Sequence, residues 1–137
     1  MERKPLLVKE FMAASLVSFT PNQDVRDAIK LLIEKRISGG PVVDNRGNLV
    51  GVFSQKDCLQ VALNAAYHDH WGGKVSEFMN KDVKTVDPDT KMIEVVELFQ
   101  KAPYGRYPVV KDNRLVGQIS RRDALRALLV AWSQWGH

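Results

Sequence analysis

The stretch GVFSQKD (Gly51–Asp57) returns 66 positions later as GQISRRD (Gly117–Asp123). Each copy runs glycine, strand-type residues, serine, two polar positions with at least one cation, then aspartate. S-x-x-D ahead of an apolar run is a capping box: the serine accepts from the third helical N–H and the acid answers the serine's own N–H. The residues before the serine read as a strand, so the stretch is a strand-to-helix corner. It occurs twice in a chain of 137 residues.

Working outward, the rest of the chain repeats with it. VKEFM at Val8–Met12 recurs as VSEFM at Val75–Met79, and PVV recurs at Pro41 and Pro108, both 67 positions apart. The spacing falls to 66 at Gly51 and Gly117, which places a one-residue loss in the turn between two strands, where length is tolerated. The repeats span about residues 8–60 and 75–127, and divide the chain into 1–70 and 71–137.

Each copy predicts the same elements. A short helix (Leu6–Met12; Val75–Met79) precedes an extended piece (Leu16–Phe19; Val83–Val86) and a proline turn. Asn22 or Asp24, and Asp89 or Thr90, are the N-cap candidates of the next helix. That helix carries apolar residues at helical spacing: Val25, Ala28, Ile29, Leu32 and Ile33, then Met92, Val95, Val96 and Phe99. Two strands joined by an Asp/Asn/Gly turn follow, PVVD-NRGN-LVGVF and YPVV-KDNR-LVGQIS, and a closing helix starts after each serine. The first closing helix is expected to run on until Gly72-Gly73. The fold class is α+β, two β-α-β-β-α repeats. Leu125, Leu128, Leu129, Trp132 and Trp135 leave the last helix apolar on more than one face, which a packed pair of repeats or a homodimer would cover.

The hairpins decide what stands beside each corner. A turn centred on Arg46 puts Ser38 opposite Ser54, so Ile37, Ser38 and Gly39 flank the first corner; a turn between Asp112 and Asn113 brings Tyr104, Gly105 and Arg106 to Ser120. The extended pieces, Leu16 to Ser18 and Val83 to Thr85, can close a third side. Lys56, Arg121 and Arg122 fall in the first helical turn, where the dipole disfavours a cation by some tenths of a kcal/mol up to about 1. An anion at the helix N-terminus reverses that cost. Asp57 and Asp123 would accept from vicinal hydroxyls such as those of ribose. Capping alone also accounts for S-x-x-D, so a pair of caps without ligand stands as the other reading.

These features resemble the tandem cystathionine-β-synthase (CBS) domains: V-x-E-F-M before each repeat, the SGGPVVD and GRYPVV strands, and the closing G-h-x-S-x-x-D motif. The resemblance covers about residues 5–130. It implies two repeats packed with pseudo-two-fold symmetry, often dimerised, with clefts between them for AMP, ADP or ATP; S-adenosylmethionine or a dinucleotide are relatives of those ligands. In the family the motif aspartate holds ribose hydroxyls, the serine supports ribose or phosphate, and the strand entry meets adenine through its backbone. Carried over, Ser54 and Asp57 serve one site, and Ser120 and Asp123 the other. Ile37, Ser38 and Gly39 flank one base and Tyr104, Gly105 and Arg106 the other, with Lys56, Arg106, Arg121 and Arg122 as phosphate ligands. Members often carry a larger apolar residue before the strand proline; Tyr107 keeps it and Gly40 does not. That implies a looser first pocket and favours the second site.

Composition sets the remaining bounds. At 45% hydrophobic and 26% charged residues the chain reads as an ordinary globular protein. A net charge of +4, scattered among acids, gives no nucleic-acid footprint. Cys58 stands alone, so no intrachain disulfide or cysteine-based zinc site can form, and a cytoplasmic setting is expected. No apolar run approaches a membrane span. His68 and His70 sit two apart, on different helix faces, and read as a solvated helix end and not a metal site; His137 is uninformative. Cys58 could have a depressed thiol pKa at its helix start, though a buried small residue is the plainer reading. Tyr67, Trp132 and Trp135 are assigned to core or dimer packing. With no catalytic triad, Walker loop or dinucleotide motif, a non-enzymatic regulatory module is expected, and a ligand-free dimerisation scaffold is the alternative.

Overall fold

Two antiparallel hairpins anchor the structure, a computed structural model that describes residues 4–136. The first pairs β1 (Gly39–Val43) with β2 (Leu49–Ser54), and the second pairs β3 (Arg106–Lys111) with β4 (Arg114–Ser120). Their turns explain the drop in repeat spacing. In the second, Asp112 and Asn113 both adopt positive φ (51° and 66°), the two-residue turn that matches strand twist. The first turn holds one residue more, with Gly47 at φ 85° and the Asp44 carboxylate accepting from the N–H groups of Arg46 and Asn48.

The register departs from the symmetric pairing by one residue. Val43 opposes Leu49 but Val42 opposes Gly51, so Val50 is a bulge; Val116 bulges likewise between the pairs Val110–Leu115 and Val109–Gly117. Beyond each bulge the partner of Ser54 becomes Gly39, not Ser38, and that of Ser120 becomes Arg106, not Gly105.

Helices α1 (Val25–Lys35), α2 (Gln55–His68), α3 (Val75–Phe78), α4 (Met92–Lys101) and α5 (Arg121–Trp135) complete the order, with a 3-10 turn at Val8–Glu10. Asp24 caps α1, accepting from Arg26 N–H at 2.7 Å. Neither Asp89 nor Thr90 caps α4: its N-cap is Lys91, the repeat counterpart of Asp24, and its side chain makes no cap bond. Helix α2 stops at Asp69, in the left-handed conformation, ahead of Gly72-Gly73. The extended pieces make one parallel bridge each, Phe19 to Val42 and Val86 to Val109.

The chain forms two compact units that cut across the sequence repeats: Val17–Val83 is one, and the residues up to Leu16 together with those from Lys84 onward are the other. Each V-x-E-F-M leader thus packs with the other copy's hairpin. Val75 is fully buried with Phe19, Val25, Ala28, Leu32, Val42 and Phe53 in one core. Val8 and Phe11 join Val86, Met92, Val95, Phe99, Tyr107, Val109 and Ile119 in the other. Backbone bridges tie Asn80 to Val52 and Ala13 to Gln118. The motif residues have matching jobs. Glu10 and Glu77 accept from the N–H groups of Leu7 and Lys74 at 3.0 and 2.8 Å, closing the first turn of each leader. The repeated glycine admits the methionine: a Cβ on Gly51 would lie 2.8 Å from Met79 Sδ, and one on Gly117 2.7 Å from Met12 Sδ.

Candidate functional site

Both corners are built as capping boxes. Ser54 N–H and Oγ donate to Asp57 Oδ2 at 2.8 and 2.9 Å, and Asp57 N–H returns to Ser54 Oγ at 3.5 Å. At the second corner Ser120 N–H and Oγ donate to Asp123 Oδ2 at 2.9 and 3.0 Å, and Asp123 N–H donates to Ser120 Oγ at 3.2 Å. Each serine therefore serves its helix and orients one oxygen of its aspartate.

The strand entry reaches the corner through the backbone. Gln55 N–H donates to the Ser38 carbonyl at 2.9 Å, and Arg121 N–H to the Gly105 carbonyl at 3.1 Å. Ser38 and Gly105 are thus beside the corner although the strand partners are Gly39 and Arg106. Ser18, Ile37, Ser38, Gly39, Ser54, Lys56 and Asp57 fall in the Val17–Val83 unit, whereas Leu16 falls in the other. Thr85, Tyr104, Gly105, Arg106 and Ser120 to Asp123 share one unit, and Val83 does not.

Cations gather beside the aspartate of each corner. Lys56, Arg106, Arg121 and Arg122 are exposed, and among the described residues none of their side chains makes an ion pair. Lys56 and Arg122 stand second in α2 and α5, and Arg121 stands first, against the positive end of the dipole. Asp57 Oδ1 has no hydrogen-bond partner among the described residues. Asp123 Oδ1 does: Arg126 Nη1 lies 2.8 Å away. Sequence reasoning passed over Arg126; its spacing, one turn beyond the aspartate, was the available signal.

Gly40 does not open the first corner. A Cβ there would stand 2.8 Å from the Val17 carbonyl oxygen and 3.1 Å from the Phe19 ring, so backbone and ring together crowd position 40. In the second copy Tyr107 is buried, its ring 5.1 Å from Phe99 and 5.9 Å from Tyr104. Burial, then Tyr104, pushes the Tyr107 phenol pKa up. Burial, followed by the Asp57 carboxylate, likewise raises that of the Cys58 thiol, so the helix start does not activate it.

Beside each corner the helices leave an equivalent groove. One of 370 Å³ is lined by Ile29, Leu32, Ile33, Gln55, Cys58 and Leu59; one of 770 Å³ has Val96, Phe99, Lys101, Pro103, Arg121 and Leu125 on its walls. The serines and aspartates line neither. Leu59, Leu63 and Tyr67 form an exposed stripe on α2, as do Leu125, Leu128, Leu129 and Trp132 on α5, so Tyr67 and Trp132 are not core. Among the described residues no three His, Cys, Asp or Glu side chains converge on a metal-sized site, and His137 lies outside those residues. No described helix is long and apolar enough to cross a membrane.

The family model described as CBS domain matches residues 8–64 and 75–130. An uncharacterized protein of Methanocaldococcus jannaschii is 40% identical over 112 residues, covering 81% of this chain and 36% of that protein. The chain spans less than half the length of this and a second relative from the same organism. Among solved structures, CBSX2 in complex with AMP is 32% identical with a TM-score of 0.80, over 90% of this chain and 96% of that one; the protein is from Arabidopsis thaliana. The CBS domain pair of MJ0100, in complex with 5'-methylthioadenosine and S-adenosyl-L-methionine, is 27% identical with a TM-score of 0.72, over 93% and 98%.

Proposed function

The chain belongs to the CBS domain family and carries the domain twice, and from that premise we propose that it is a regulatory module, not an enzyme, that binds an adenine nucleotide at the Ser54–Asp57 and Ser120–Asp123 corners. The observation that carries the reading is the set of cations Lys56, Arg121 and Arg122, without an ion pair among the described residues, on the first turns of helices whose dipoles repel them. A phosphate there satisfies cation and dipole together. The aspartate takes the ribose hydroxyls, and the strand entries Ile37–Gly39 and Tyr104–Arg106 flank the base. The AMP bound by CBSX2 and the adenosyl ligands bound by MJ0100 support this choice of ligand class. AMP, ADP and ATP are the first candidates, then S-adenosylmethionine.

Repeats 1–70 and 71–137 each contribute one corner. Occupancy biases the orientation of the repeats or of a homodimer, whose formation would cover the exposed leucine stripes of α2 and α5. A partner that prefers one orientation then reads the nucleotide level. A cytoplasmic setting suits the lone Cys58.

Thermal unfolding of the full chain with AMP and with ATP tests the reading. Ligand at about a hundredfold over Kd adds about 2.7 kcal/mol to the native state, so the midpoint rises. A midpoint unmoved by millimolar nucleotide sinks it. The same exposed stripes favour the second reading, a dimerisation scaffold whose corners are caps alone; a concentration-dependent dimer with no nucleotide effect is its signature.

A further inference from the structure

The two corners differ in the state of their carboxylates. At the second, both oxygens of Asp123 are engaged, Oδ2 by Ser120 and Oδ1 by Arg126 at 2.8 Å. The side chain of Asp123 is 14% exposed, so this pair is less screened than an open surface pair. Arg126 is also held from behind. Its Nη1 lies 3.5 Å from the Phe11 carbonyl oxygen, and its guanidinium sits 6.0 Å from the Phe11 ring centroid. At the first corner the repeat places Gln60 where Arg126 stands in the second. Gln60 Nε2 turns to Asn64 Oδ1 at 3.0 Å, and Asp57 Oδ1 has no partner among the described residues.

Resting on the nucleotide reading above, we propose that Arg126 sets the two corners apart, by taking one of the two acceptor sites on the carboxylate oxygen that ribose hydroxyls would use. A vicinal diol finds both acceptor sites of Asp57 Oδ1 open, whereas at Asp123 Oδ1 one of the two is already taken by Arg126. The Ser54 corner is therefore the tighter ribose site. Charge alone favours the other corner, where Arg121 and Arg122 stand, so the assignment separates the two effects: the arginine pair serves phosphate, and Arg126 acts against the sugar.

Calorimetric titration of the full chain with AMP tests this by a reciprocal exchange. Asp57→Ala and Asp123→Ala each leave one corner to be titrated alone. In the Asp57→Ala background, where only the second corner binds, Arg126→Gln should tighten AMP by roughly twofold to fivefold, the range of a weak ion pair. Gln60→Arg in the Asp123→Ala background should weaken the first corner by a similar factor, since Phe78 stands in the repeat where Phe11 does. Adenine, which has no ribose, should show neither effect. If AMP binds but neither exchange moves its affinity, the role of Arg126 is refuted and the nucleotide reading stands. If no variant and no wild-type chain binds AMP, both fall together.

Discussion

Phe19 stands over Gly40: a Cβ at position 40 would come within 3.1 Å of the ring and 2.8 Å of the Val17 carbonyl oxygen. In the second copy the sizes are reversed, with Val86 at the position of Phe19 and the buried Tyr107 at that of Gly40. Gly40→Ala should destabilise the chain by about 1–3 kcal/mol, the usual cost of overpacking. Gly40→Tyr combined with Phe19→Val should cost less than the sum of the two single changes, because contacting residues couple. Urea denaturation of the four chains gives the cycle; strict additivity would show that the two positions do not trade volume.

The serines hold their helices whatever the ligand. Ser54→Ala and Ser120→Ala should each remove about 1 kcal/mol of stability, as loss of an N-cap does, and threonine at either position should restore most of it. Denaturant midpoints without nucleotide report this directly. A neutral effect would mean that the aspartate, through its bond to the serine N–H, holds the turn unaided.

Acid should act partly through the first hairpin turn. The Asn48 N–H, with help from the Arg46 N–H, holds the Asp44 carboxyl below its ordinary value of 3.8. A depressed folded pKa stabilises the native state above the unfolded value, and that contribution is lost as pH falls through the folded one. Asp44→Asn should therefore show a shallower loss of stability below about pH 4 than the parent chain. Urea midpoints at pH 6 and pH 3 compare the two. A parallel pair of profiles would show that Asp44 titrates alike folded and unfolded.

Burial sets the reactivity of Cys58. Its thiol is raised by desolvation and by Asp57, so maleimide labelling of the native chain should be slow at neutral pH and should accelerate only above the ordinary thiol range near 8.5. Labelling in denaturant gives the reference rate. Fast native labelling at pH 7 would contradict the raised pKa.

The capping boxes, both hairpins and the helices that flank them were legible because they are local. Ser54 and Asp57 are one turn apart, and the turn residues mark the hairpin centres at the positions observed. The strand partner of each serine was missed by one, since Val50 and Val116 carry no mark of a bulge that valine tolerates as readily as regular pairing. The cap of α4 was missed because its N-cap position is held by Lys91, a residue with no acceptor to mark it, where the first copy has Asp24. Gly40 was read as loosening the first pocket, although the Val17 carbonyl and the Phe19 ring, more than twenty positions earlier in the chain, stand against it. Nor does the pattern V-x-E-F-M say which hairpin its methionine will meet.

The exchange of leaders gives the two cores different histories during synthesis. All the segments of the Val17–Val83 unit are contiguous, so its core can close while the remaining residues are still being added. Val8 and Phe11 have no such opportunity. Their partners Ile119 and Ala127 lie far downstream, and a nascent chain must keep that apolar segment from engaging elsewhere until its own hairpin arrives.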